Sequence, residues 1–221
     1  MLWVDKHRPM KMDELTYHAD VSERLRSLVS NPGTMPHLFF YGPSGSGKKT
    51  RIATVLCDLY GPGAEKLKLD KRTFTTPTKR IVEINLITSN YHIELSPGDA
   101  GLNDRFVVQE VVKEMASNKN IISAASMMGS GAETTSNKST GRADFKTVVL
   151  MDCDQLSRQA QAALRRTMEK YATSCRLILC CNSQSKVIEP VRSRCLGIRV
   201  AAPTVNEVCM IFNLFIVEMY E

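Results

Sequence analysis

Aromatic side chains are scarce. Tryptophan occurs once, and Phe, Tyr and Trp together make up 6% of the 221 residues, mostly inside apolar runs. A surface that stacks successive bases on aromatic rings is therefore not expected. The seven cysteines, at 57, 153, 175, 180, 181, 195 and 209, include no Cys-x-x-Cys pair, which argues against a zinc ribbon. Most lie in apolar runs such as Leu177-Ile178-Leu179-Cys180-Cys181 and read as buried free thiols of a reducing compartment. No run reaches the ~18 apolar residues of a membrane span. The opening Met1-Leu2-Trp3-Val4-Asp5-Lys6 has no long apolar stretch of the secretory kind. A soluble intracellular protein with no membrane partner is the expectation.

The composition is that of an ordinary globular chain, 43% hydrophobic and 24% charged, which excludes global disorder and fibrous classes. The length suits one large domain, or one domain and part of a second. Lys and Arg number 29 against 23 Asp and Glu, a net charge of +6. That excess favours an anionic partner, whether nucleotide, nucleic acid or membrane surface.

Strand-like runs at His37–Tyr41, Ile81–Asn85, Tyr91–Leu95, Thr147–Met151, Arg176–Cys181 and Leu196–Val200 alternate with helical patterns. The helical patterns lie near Gly47–Tyr60, Arg105–Ala116 and Gln159–Tyr171. In the first of these, Ile52, Val55, Leu56 and Leu59 repeat at i, i+3, i+4 and i+7, and Gly61-Pro62-Gly63 ends the pattern. Such alternation predicts an α/β fold with a parallel sheet covered on both faces. Residues 127–143, rich in Gly, Ser and Thr, have too little apolar surface to offset their ordering entropy and are expected to form a mobile insertion. After Pro203, the sequence Thr204-Val205-Asn206-Glu207 has the form of a capping box. It opens a helix apolar nearly all round, which needs cover from a longer chain or from a partner.

The strongest local signal is Gly42-Pro43-Ser44-Gly45-Ser46-Gly47-Lys48-Lys49-Thr50, between a strand ending at Tyr41 and a helix. Glycines at these positions turn backbone N–H groups toward phosphates, the helix N-terminus adds positive potential, and Lys48 can reach the terminal phosphates. Bound ATP or ADP is expected. A P-loop places Ser or Thr directly after its lysine to coordinate Mg2+, but here Lys49 holds that position. Thr50 is displaced by one residue, ~100° around the helix, and the Lys49 ammonium repels a metal. The partner acidic motif is also altered in Val148-Val149-Leu150-Met151-Asp152-Cys153-Asp154. Either Met151 takes the metal position and Asp152 the base position, or Asp152 takes the metal position and Cys153 the base position. In both registers a carboxylate is missing, and tight Mg2+ coordination is doubtful, with no metal ligand assigned.

Four segments together resemble a known family: Leu2-Trp3-Val4-Asp5-Lys6-His7-Arg8-Pro9, Gly42–Thr50, the run from Ala160 to Tyr171, and Ser193-Arg194-Cys195. They are similar to the small subunits of replication factor C, the sliding-clamp loaders of the AAA+ class, over nearly the whole chain apart from 127–143. Within that family the likeness is strongest to the branch whose P-loop reads Gly-Lys-Lys-Thr. The resemblance implies an AAA+ nucleotide-binding domain over 1–202, with a parallel sheet flanked by helices, and the start of a truncated helical lid over 203–221. It resolves the register, placing Met151 at the metal-binding position and Asp152 at a degenerate base position. It implies that Val4, Arg8 and Pro9 pack near the adenine and that Asn182 is sensor 1. Arg194 is then an arginine finger reaching the ATP site of a neighbouring subunit, a role that in other nucleotidases gives ~10³–10⁵ in rate.

The same resemblance implies a nuclear heteropentamer that loads a sliding clamp onto primer–template DNA in replication and repair, in which this subunit hydrolyses ATP weakly or not at all. Lys79, Arg80 and Arg105 are the candidate phosphate contacts, which would be salt-dependent and sequence-independent. Two rival readings are an autonomous P-loop ATPase or nucleotide kinase, against which Lys49 and Met151 speak, and a non-catalytic adaptor in a checkpoint clamp loader.

Overall fold

The computed structural model describes residues 6–75, 81–117 and 145–220. Val4, Lys79, Arg80 and the 127–143 segment lie outside the described residues. Seven strands form one sheet: β1 His37–Tyr41, β2 Lys68–Thr75, β3 Ile81–Thr88, β4 His92–Leu95, β5 Lys146–Leu150, β6 Cys175–Cys181 and β7 Cys195–Arg199. Their spatial order is β2-β3-β4-β5-β6-β1-β7. Neighbours from β4 to β7 run parallel. The sheet is mixed rather than wholly parallel, because β2 and β3 form an antiparallel hairpin and β3 pairs antiparallel with β4.

The helices are α1 Ala19–Ser30, α2 Lys48–Tyr60, α3 Asp104–Ser117, α4 Arg158–Lys170, the single turn α5 Glu189–Arg192, and α6 Val205–Tyr220. Successive strand residues point to opposite faces, and this alternation divides the core in two. Phe39, Val148, Leu150, Leu177 and Leu179 face α3 and α4, where Val107, Val111, Ala160 and Leu164 meet them. Leu38, Phe40, Val149, Ile178 and Cys180 face α1 and α2, where Leu25, Ile52, Val55, Leu56 and Leu59 meet them. Each Val, Leu, Ile or Phe among them contributes ~1.5–3 kcal/mol of apolar burial. Parallel strands covered on both faces place their carboxyl ends, and the loops that follow them, along one edge, the usual ligand edge of an open α/β sheet.

All seven cysteines are free. Four are buried, but Cys209 on α6 is exposed, unlike the buried thiols the apolar runs predict. The capping box forms: the Glu207 carboxylate accepts from the Thr204 N–H at 2.6 Å, and the Glu207 N–H donates to Thr204 Oγ1 at 3.4 Å. Val205, Met210 and Phe212 on this helix are exposed. No helix among the described residues is long and apolar enough to cross a membrane.

Candidate nucleotide-binding site

The loop from Gly42 to Gly47 leaves the carboxyl end of β1, the strand between β6 and β7. Two of its glycines are sterically required. A Cβ on Gly42 would lie 1.9 Å from the Val200 carbonyl oxygen, because the end of β7 passes directly behind the loop. A Cβ on Gly47, whose φ is +80°, would lie 2.0 Å from the Tyr17 hydroxyl. That hydroxyl donates to the Ser46 carbonyl at 3.2 Å and closes the loop from below. Ser46 is fully buried, and its Oγ makes no hydrogen bond. A cradle of backbone closed to any Cβ, with an unpaired buried hydroxyl inside it, fits a polyphosphate oxygen.

Lys48 opens α2 and is only 7% exposed. Its Nζ donates to the Gly42 and Pro43 carbonyls at 2.8 and 2.7 Å and to Asn182 Oδ1 at 3.0 Å. All three acceptors are neutral. Asn182 follows β6 directly, and parallel pairing of β6 with β1 brings it to the loop. The P-loop lysine and the residue expected at sensor 1 therefore meet, although 134 positions separate them.

One turn along α2, Arg51 is fully buried. It donates to Ser22 Oγ at 3.0 Å and to the Tyr17 carbonyl at 2.6 Å, and its guanidinium lies over the Tyr17 ring, 5.0 Å from the centroid. Burial pulls its pKa down. The sequence reading missed Tyr17 and Arg51, which hold the floor of the loop.

Lys49 is exposed and Thr50 half-buried. Met151 is half-buried and packs against the α1–α2 side of the core. Its N–H donates to the Leu95 carbonyl at 2.9 Å, at the carboxyl ends of β4 and β5. Asp152 is half-buried with φ +47°, a left-handed conformation uncommon outside glycine. A thioether and an ammonium are not ligands for a hard cation that demands oxygen, so the residues at 49 and 151 do not fit Mg2+. Among the described residues no group of three His, Cys, Asp or Glu side chains could hold a metal.

Glu94 was also missed. It sits on β4 opposite Val149, so it shares a sheet face with Val149 and with Met151. Burial pushes its carboxyl upward, while the charges of Lys49 and Arg8 draw it back. Arg8 and Pro9 are half-buried, and the Arg8 charge acts on Glu94.

Arg194, in the turn between α5 and β7, lies apart from the P-loop. Its Nε and Nη2 approach Glu169 Oε1 at 2.7 and 2.5 Å, and its Nη1 donates to the Pro190 carbonyl at 2.7 Å. Glu169 and Pro190 also line a groove of about 540 Å3 with Arg105, Gln109, Arg165 and Arg166. The exposed Arg105, second residue of α3, lies on that groove. Buried Gln161 on α4 spans the stretch between Asn182 and Arg194. Its Nε2 donates to the Leu156 and Lys186 carbonyls at 3.0 and 3.2 Å, and its Oε1 accepts from the Ile188 N–H at 2.8 Å.

A P-loop at the end of a central parallel strand, with helices on both faces, defines an AAA+-like nucleotide-binding domain. Solved structures of the Thermotoga maritima Holliday-junction branch-migration motor RuvB share this fold. One has a TM-score of 0.50 at 14% identity, covering 90% of this chain and 50% of that one. A point mutant of the same motor has a TM-score of 0.53 at 15% identity, covering 90% and 51%. A family model described as DNA polymerase III, delta subunit, matches residues 98–204.

Sequence relatives narrow the class. The chain is 50% identical over 212 residues to human replication factor C subunit 3, covering 96% of this chain and 55% of that protein. It is 51% identical over 209 residues to a probable replication factor C subunit 3 of Dictyostelium discoideum, covering 94% and 55%. It is 51% identical over 208 residues to Neurospora crassa replication factor C subunit 5, covering 94% and 54%. The chain belongs to the replication factor C small-subunit family, in the branch containing these subunits 3 and 5. It spans about half the length of the relatives it matches.

Proposed function

We propose that this chain is a nucleotide-binding, weakly or non-hydrolysing subunit of a replication factor C clamp loader, which donates Arg194 to the nucleotide site of a neighbouring subunit. The carrying observation is the division of the machinery within one fold. The cradle is intact, with Lys48 fixed between the loop carbonyls and Asn182, while the positions that would hold the metal are Lys49 and Met151.

In this reading residues 1–202 form the nucleotide-binding domain and 203–221 begin a helical lid. Val4, Arg8 and Pro9 pack near the base of ATP or ADP, Gly42 to Thr50 surround the phosphates, and Asp152 is a degenerate base. Lys49 and Met151 leave the two usual Mg2+ positions without an oxygen ligand. The partners are the other subunits of a nuclear heteropentamer, a sliding clamp, and primer–template DNA held through Lys79, Arg80 and Arg105.

Replacing Arg194 by Ala in the assembled complex tests the reading. It is expected to lower ATP hydrolysis by the complex while leaving nucleotide binding by this chain unchanged. Unaltered hydrolysis would point instead to a non-catalytic adaptor. Turnover by this chain alone, abolished by Lys48→Ala, would overturn the weakly hydrolysing assignment.

A further inference from the structure

We propose that this site takes its nucleoside polyphosphate free of magnesium, with the Lys49 ammonium performing the charge neutralisation that a divalent ion performs elsewhere. The inference rests on the nucleotide-binding reading above and deepens it by naming the ligand form.

Two observations meet at one place. The first is substitution of the metal's ligands by groups of the opposite kind. Lys49 follows Lys48 on the first turn of α2, where a metal-binding hydroxyl belongs, and Met151 packs into the core where a metal-binding carboxylate belongs. The second is an accumulation of positive charge that the fold leaves to be met from outside. Lys48, at the head of α2 on the cradle, has neutral hydrogen-bond acceptors only. A buried cation without a carboxylate is costly unless an anion comes close. Polyphosphate supplies that anion. Lysine binds phosphate as a point charge with no demand for octahedral geometry.

Glu94 completes the arrangement. It shares the face of Met151 and lies close enough to Lys49 for the two charges to interact.

The test is nucleotide affinity of the 221-residue chain, read by fluorescence of a labelled ADP or ATP in EDTA and in excess Mg2+, with far-UV circular dichroism as the fold control. The expected result is affinity within about twofold between the two conditions, and roughly tenfold weaker binding in EDTA for Lys49→Gln, whose exposed position leaves the fold intact. The paired variant Lys49→Thr with Met151→Asp is expected to bind at least about tenfold more tightly in Mg2+ than in EDTA. A wild-type chain that loses about tenfold or more in EDTA, or a Lys49→Gln variant with unchanged affinity, overturns the inference while leaving nucleotide binding standing. A folded chain that binds no nucleotide in either condition overturns the functional reading itself.

Discussion

Arg194 and Glu169 are joined through two nitrogens, Nε at 2.7 Å and Nη2 at 2.5 Å from one carboxylate oxygen. This contact ties the turn after α5 to the last turn of α4. It also fixes the direction of a guanidinium that the family resemblance assigns to a neighbouring site. Arg165, one turn earlier on α4, approaches the same oxygen at 3.6 Å. The carboxylate therefore holds Arg194 against the end of α4.

Glu169→Gln is accordingly expected to free Arg194 without unfolding the chain. The Glu169 carboxyl is held below its usual range, first by the hydrogen bond from Arg194 and then by the charges of Arg194 and Arg165. A depressed carboxylate stabilises the fold above its unfolded pKa, and that contribution is lost as pH falls through its folded pKa. The group is solvent-exposed, so the effect is small and screened by salt. Urea titrations at neutral pH should place wild type and Glu169→Gln close together, with the gap closing in high salt. If Arg194 is the finger proposed above, Arg194→Lys in the assembled complex lowers ATP hydrolysis, because an ammonium cannot reproduce the planar fork.

The loop glycines give a graded series. Gly42→Ala directs a methyl group at a backbone oxygen that cannot retreat, and Gly47→Ala directs one at a tyrosine hydroxyl that can be trimmed. Gly45→Ala meets open space and pays only for its φ of +80°, ~1–2 kcal/mol for a residue with a Cβ. The expected order of damage in urea midpoint is Gly42→Ala worst and Gly45→Ala mildest. Adding Tyr17→Ala should restore part of the loss in Gly47→Ala and none of the loss in Gly42→Ala. Tyr17→Phe alone removes one hydrogen bond, costing about 1 kcal/mol.

How much of this was legible in the sequence follows from range. The loop, the six strand runs and the capping box at Thr204 announce themselves because their signals are local, in glycine spacing, apolar runs and a four-residue motif. The β2 strand did not, because Lys68–Thr75 is polar, lies at the sheet edge and is exposed along most of its length. Without β2 the hairpin was hidden, and β3 could be read as one more parallel strand. Helix α1 had a usable signal in Val21, Leu25, Leu28 and Val29, which share one face. Tyr17, Arg51 and Glu94 had none. Their roles depend on where α1, α2 and the β4–β5 register bring them, and a charged residue on a helix or strand ordinarily points to solvent.

Gln161 offers a test of how the segment between Asn182 and Arg194 is held. Its amide satisfies two carbonyls and one N–H across the segment from Leu156 to Ile188, in a site where it is only 2% exposed. Gln161→Leu keeps the volume and strands those three groups, at a cost on the order of 2 kcal/mol or more. Hydrogen exchange should then rise over 184–190 well before it rises in β1 or β6. If exchange rises equally everywhere, Gln161 supports the whole domain and does not latch this segment in particular.

Acid stability isolates one buried group. His92 on β4 is 2% exposed, its Nδ1 makes no hydrogen bond, and burial lowers its pKa from 6.5 to about 4. The unfolded chain therefore takes up a proton at this residue before the folded chain does. The sign follows: stability present above pH 6.5 is lost as pH falls toward 4. The gap between the two values corresponds to on the order of 3 kcal/mol. His37 is lowered by burial in the same sense. Glu94, 3.9 Å from His92 Nε2, is raised by burial and opposes the trend in the lower part of the window. Comparing wild type with His92→Gln cancels most of what the other groups contribute. Chemical denaturation at about pH 7.5 and about pH 5, on either side of the unfolded histidine's titration, is expected to show a smaller loss of stability for His92→Gln. Equal losses in the two proteins would mean that His92 takes up its proton without leaving the core.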